Sequence, residues 1–425
     1  MFRSTVIGFT MGLMVSASVW AQPLVNGGYA AHEWGTFTSL QDSSGVTAEG
    51  MFHEDEALPE FVHGRRNSLI QSFSTAGAFG LLPDSMPDHC HNKNCDFAVV
   101  AGTAMTVTQK METPVIYFYS QTPQNVKVDV DFPGGIITQY YPNVTDFTPP
   151  LGKVDTIANG HIHWDVRVST DRLPVPEVPT TSIWAPSREV NANDLSVGGE
   201  NEKLLFYRGL GHFDTPLRVT DNVGSAIRIQ NLSDQIVPSA FLLNVTPTGA
   251  EIRALGAVPA HGELEVSDRS LFKSDLKSLD SYLAQATSLV SNSLVLSGLF
   301  SDEALAMVHT WQKSYFTTPG LRVLYVLPRE WTDRLLPLSL TPEPRELVRT
   351  LVGRVEILTQ KEEQGLLNDL KQSFMNHTSC DSRIAALGRF AESKLRRVVL
   401  LAKQSGAGVG FVHYLEALIQ QESVR

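Results

Sequence analysis

His161-Ile162-His163 puts two imidazoles two residues apart, and on a strand that spacing turns both rings to one face. Imidazole pairs on one face begin many Zn and Cu sites. Asp165 falls on the same face and could ligate a metal or orient a ring. His32 is the candidate third ligand, and Zn or Cu is the metal such a set would hold. A metal there would lower the pKa of a bound water to about 7, with Glu33 or Glu112 as the base. The plainer reading is a half-exposed strand whose polar residues face outward. His32 and Glu33 are neighbours, so on a strand they point to opposite faces and only one enters a given pocket.

Glu112-Thr113-Pro114 stands directly before the most apolar strand-like run, Val115 to Tyr119. A carboxylate at the mouth of a buried strand is either paired or functional. Arg208-Gly209 closes a second apolar run, and a guanidinium there suits an acidic group or an anionic ligand. A structural Arg–Glu pair is the simpler alternative. The working expectation is that His32, Glu112, His161, His163 and Arg208 face one cavity, with Glu112, Glu33 and Arg208 as the catalytic groups.

Two other clusters carry ligand-type residues. Asp88-His89-Cys90-His91 with Cys95 is rich in soft donors, but an exported cysteine pair reads first as a disulfide. His53-Glu54-Asp55-Glu56 offers carboxylates without the spacing of a metal loop, and reads as a solvated loop. There is no Gly-x-Ser-x-Gly elbow, no His-Glu-x-x-His helix and no phosphate loop. Gly406 to Gly410 lies between two helical patterns with no strand before it, so it reads as a helix connection.

The elements that must position these residues follow from periodicity. Residues 1–21 read as a signal peptide: Arg3, an apolar centre, and the exit Val19-Trp20-Ala21. Cleavage after Ala21 would start the mature chain at Gln22 and place it in the periplasm or outside the cell. No later segment is apolar enough to span a bilayer as a helix. Residues 22–96 read as an irregular segment packed on a β domain. Residues 97–268 carry short alternating strands separated by turns, as in an antiparallel sandwich. From 269 to 425 the pattern is mostly helical, with strands at Leu321–Leu327 and Val348–Leu358 and a capping box at Thr359 and Glu362. The expected fold class is therefore α+β, an N-terminal antiparallel β-sandwich-like domain followed by a mostly helical α+β domain. The formal net charge of −11 and pI near 5.6 argue against a nucleic-acid partner.

Five segments resemble an uncharacterised family of secreted bacterial proteins with an N-terminal HEWGTFT motif. They are His32-Glu33-Trp34-Gly35-Thr36-Phe37-Thr38, Glu112 to Tyr119, Phe206 to Gly211, Leu324 to Arg329, and Val352-Gly353-Arg354-Val355-Glu356. The resemblance brings no catalytic role with it. It implies that His32, Glu112 and Arg208 converge. Two functions follow as expectations: a metal-assisted hydrolase, or a module that binds a small molecule, glycan, peptide or envelope protein. Tyr140, Tyr141, Trp184 and Trp331 are the aromatic contact candidates of the second.

Overall fold

A computed structural model describes residues 28–54, 56–64, 106–149, 157–222, 226–267 and 276–423. The expected signal peptide, the start at Gln22, the Cys90–Cys95 pair and His89 and His91 lie outside these residues. Cys380, which is described, is a buried free thiol.

The strands in chain order are β1 (Tyr29–Gln41), β2 (His63–Gly64), β3 (Gln109–Ser120), β4 (Gln124–Phe132), β5 (Gly135–Tyr141), β6 (Asp146–Thr148) and β7 (Gly160–Ser169). Then come β8 (Asp194–Val197), β9 (Glu200–Glu202), β10 (Leu205–Gly211), β11 (Leu217–Asn222), β12 (Ala226–Asn231), β13 (Val237–Thr246), β14 (Gly249–Val258) and β15 (Glu263–Ser267). The last three are β16 (Gly320–Val326), β17 (Leu338–Thr341) and β18 (Glu346–Ile357). The helices are α1 (Leu279–Leu296), α2 (Ser301–Trp311), α3 (Arg329–Leu335), α4 (Gln360–Asn376), α5 (Asp381–Ala385), α6 (Ala391–Gln404) and α7 (Val409–Ser423). A π-helical turn, Gln312–Thr317, continues α2.

A nine-stranded sheet in the order β14-β13-β16-β18-β1-β3-β10-β5-β2 organises the molecule. One face carries Phe37, Met111 and Tyr207 and shares a core with the inward residues of a six-stranded sheet, Val126, Val128, Ile162 and Trp164 among them. The other face carries Trp34, Val115, Tyr117 and Phe206 and packs under α1, α2 and the π-turn through Tyr282, Ala286, Met307 and Tyr315. Helices α4 to α7 form a separate small core around Leu370, Leu395 and Leu415. Arg397 fixes this bundle to the end of β1, pairing with Glu363 and with Asp42 at 2.9 Å.

The α+β expectation is overturned. The protein is mostly β, with strand outweighing helix 40% to 29%, and its principal sheet draws strands from residues 29 to 357. The C-terminal half does not stand apart as a helical unit, because β16 and β18 lie at the centre of the sheet. Trp34–Thr38, within the stretch 22–96 that reads as irregular, is the middle of β1, a strand of 13 residues, all of them buried. It runs parallel to β18 and antiparallel to β3. A strand covered on both faces loses the polar alternation by which strands are recognised. The parallel pairing of β1 with β18 joins segments some 300 residues apart, as in Ala30 opposite Glu346, and no local pattern signals it.

The helical expectations hold more closely. Thr359 and Glu362 form the capping box that opens α4. Within the mostly helical C-terminal stretch, Gly388, with a φ of +57°, separates α5 from α6. Among the described residues no helix is long and apolar enough to cross a membrane.

Candidate functional site

The five segments singled out in the sequence become five adjacent strands of the nine-stranded sheet, β16, β18, β1, β3 and β10. Their polar residues on the helix side meet in one place. Glu112 on β3 takes a hydrogen bond from the Tyr315 hydroxyl at 2.6 Å and an ion pair from Arg389. The Thr36 hydroxyl donates to the Glu112 carbonyl oxygen at 2.9 Å, and the Thr38 hydroxyl lies 3.1 Å from that of Tyr315. Arg354 on β18 lies over the Tyr315 ring, 4.4 Å from its centroid. Glu356 pairs with Arg354 at 2.9 Å and with Arg322 at 3.0 Å.

Arg208 on β10 does not pair with Glu112. Its partner is Glu54, at 2.8 Å, which Lys110 of β3 also contacts at 2.7 Å. All four groups of this half of the cluster, Glu54, Lys110, Arg208 and Arg389, are buried to within a few per cent. Burial alone would push the Glu54 carboxyl up, but Arg208, Lys110 and Arg389 outweigh it and hold it at about 2. Burial acts the same way on Glu356, and Arg322, Arg354 and Lys394 hold it below the usual carboxylate range.

The backbone around the cluster departs from regular geometry at several points. β1 shifts register between Trp34 and Thr36, and β10 shifts against both β3 and β5 next to Arg208 and Gly209. Thr113 has a φ of +52°, which a β-branched residue rarely adopts. Tyr315 sits in a π-turn. Bulges, π-turns and left-handed non-glycine residues each collect at functional sites, because each re-aims a side chain at a cost in stability.

The other expected site residues go elsewhere. His161 and His163 alternate with the buried Ile162 and Trp164, which turns both imidazoles to the outer face of the six-stranded sheet. There His161 meets Asp131 at 2.8 Å and His163 meets Asp129 at 2.6 Å. His32 lies on the helix side of β1, buried, with Nδ1 at 2.8 Å from Glu303. Glu33 points to the opposite side, where it takes Arg349 at 2.5 Å and the Tyr207 hydroxyl. Burial, then Glu33, push the Tyr207 hydroxyl well up. The structure thus brings Glu112 and Arg208 into one cluster and leaves His161, His163, His32 and Glu33 outside it. Among the described residues no group of three His, Cys, Asp or Glu side chains is placed to hold a metal ion.

Lys110, Tyr315 and Arg389 do not stand out in the sequence as site residues, Glu54 reads there as part of a solvated loop, and Arg354 and Glu356 stand out only as members of a resembling segment. Glu54 sits in the stretch read as a solvated loop, yet its side chain is only 3% exposed. Lys110 stands two residues before Glu112, which puts both on one face of β3 and is the signal that could have found it. The aromatic contact candidates are buried as well: Tyr140, Tyr141 and Trp184 belong to the core. Trp331 packs against Phe37 and Phe213.

Beside the cluster, the end of α2 and the π-turn form one wall of an open groove of about 380 Å³, and residues 180–186 form the other. Glu56, Thr181, Ser182, His309, Gln312 and Lys313 line it. Ile183 and Thr310 also line a small, mostly apolar pocket whose other lining residues include Thr113. Through Ile183 and Thr310 the groove is next to the pocket that the strained residue following Glu112 lines. No protein-family model matches this chain, and no curated protein searched is similar to it, so the roles of these residues rest on their geometry.

Proposed function

We propose that this is an exported binding module that recognises a hydroxyl-rich ligand, a glycan, in the groove between residues 180–186 and the α2–π-turn junction. The observation that carries the reading is the groove's own chemistry. Among the described residues its one cation–anion pair, Lys313 with Glu56 at 3.1 Å, compensates itself. What remains are hydroxyls from Thr180, Thr181 and Ser182, the Gln312 amide and the His309 imidazole. These groups both donate and accept, as sugar hydroxyls require. A metal-assisted hydrolase would need His32, His161 and His163 together, and the three divide between a buried strand and an outer sheet face.

The test is titration of the mature protein with envelope oligosaccharides by calorimetry, repeated on Gln312→Ala and His309→Ala. Both residues are exposed, so neither change should disturb folding. The expected result is saturable binding that weakens at least tenfold in each variant, about 1.4 kcal/mol. Absence of binding across the panel, or binding that both variants retain in full, would sink the reading.

A further inference from the structure

We infer that Arg208 and Gln139 form a buried receptor for a small oxyanion, a carboxylate or phosphate group, independent of the groove. The two residues are directly opposite one another on β10 and β5, so their side chains leave the same face of the sheet. They are 3% and 5% exposed. The guanidinium carbon of Arg208 lies 5.8 Å from the centroid of the Phe206 ring, and its Nη1 is ion-paired with Glu54 at 2.8 Å. Its Nε is buried with no hydrogen-bond partner, and so is Oε1 of Gln139. Two orphaned polar atoms of opposite character, on paired residues, do not satisfy each other.

Leaving a buried guanidinium nitrogen unmade is costly, and native structures seldom do it without a reason. A group that completes this site must accept from Arg208 and offer a hydroxyl or bridging water to Gln139. A protonated phosphate or a hydrated carboxylate does both. The surroundings favour an anion over a lone water. Lys110 and Arg389 both act on the same carboxylate, Glu54, that Arg208 holds. The local potential is positive enough to keep Glu54 ionised at a buried position, against the burial that would otherwise raise it. The register shift between Arg208 and Gly209 is the device that aims the guanidinium here, since a bulge re-directs the side chain beside it.

The probes are inorganic phosphate and acetate, added to the mature chain at constant ionic strength with chloride as the balancing ion. Burial makes exchange slow, so samples are held warm with each anion before thermal unfolding is recorded. The expected result is a saturable rise in Tm with at least one of the two, since a ligand that binds only the folded state stabilises it by mass action. The anion that saturates at lower concentration identifies the class. Gln139→Glu is the decisive variant. It places a carboxylate of nearly the same shape beside Arg208, so it should raise Tm without added anion and abolish the response. Arg208→Met should abolish the response as well, and if it does not fold, Gln139→Glu still decides. A wild-type Tm indifferent to both anions, or a Gln139→Glu protein that keeps the full response, would overturn the proposal.

Discussion

The Tyr315 hydroxyl donates to the Glu112 carboxylate over 2.6 Å, joining residues 203 apart in the chain. The bond ties the π-turn above the nine-stranded sheet to the strained Glu112-Thr113-Pro114 segment within it. Tyr315 has one proton to give, so the nearby Thr38 hydroxyl must act as donor towards it. Replacing Tyr315 by Phe removes the proton and leaves a buried carboxylate oxygen with one partner fewer. Hydrogen bonds to charged groups contribute roughly 1.5–3 kcal/mol, so Tyr315→Phe should destabilise by about that amount in urea unfolding. A change under about 0.5 kcal/mol, the range of an ordinary surface substitution, would show that the bond contributes little.

Arg389 reaches Glu112 from the short turn that precedes α6 in the C-terminal bundle, and both partners are less than a tenth exposed. Removing one member of such a pair strands the other charge, which costs about 3–5 kcal/mol. Removing the charge from both should cost less than the sum of the parts. Arg389→Met should therefore be strongly destabilising, and Glu112→Gln on the same chain should recover a large share. A double-mutant cycle by denaturant unfolding reads the coupling directly. Strictly additive effects would mean that the two side chains do not act on one another.

The split between what was and was not legible in the sequence has a physical origin. His161 and His163 were read as sharing a strand face, and they do, because Ile162 and Trp164 are drawn into the core between them. Periodicity gives the shared face and says nothing of whether that face is inward or outward. Glu112 and Arg208 were read as groups needing partners, and each has one, but the partners Arg389 and Glu54 come from a helical bundle and a loop. Glu54 reads as solvated because His53 to Glu56 lacks the spacing of a metal loop, and only tertiary packing buries it. β1 was underestimated for the same reason: His32, Glu33, Thr36, Thr38 and Ser39 look like a surface strand until all of them find buried partners.

Gly35, in the middle of the HEWGTFT segment, lies against Pro114 of the next strand. A Cβ built at Gly35 would stand 2.7 Å from the Pro114 Cα, a backbone atom that cannot turn aside. Gly35→Ala must therefore push β1 and β3 apart beside Thr113 and Glu112. Overpacking of this kind costs about 1–3 kcal/mol. The displacement should also reach the cluster, so part of the loss should vanish in a chain already carrying Tyr315→Phe. A Gly35→Ala protein as stable as the parent would mean that the strands separate without strain.

The Glu54 carboxyl gives a prediction with a definite sign. Its ordinary value is 4.5, and in the folded protein it lies at about 2, where Arg208, Lys110 and Arg389 overcome the opposing effect of burial. A carboxylate whose folded pKa is depressed contributes stability that is fully present above the unfolded value. That contribution is lost as pH falls from about 4.5 through about 2, where the folded form takes up its proton. Glu54→Gln should then be less stable than wild type at neutral pH, because Arg208 and Lys110 lose their shared counter-charge. The gap between the two proteins should narrow as the pH is lowered through that window, since wild type approaches the neutral side chain that the variant already has. Denaturant unfolding of both proteins at a series of pH values from 7 to 2.5 measures the gap. A gap that stays constant over this range, or widens towards acid, would show that Glu54 is not held ionised by the cluster.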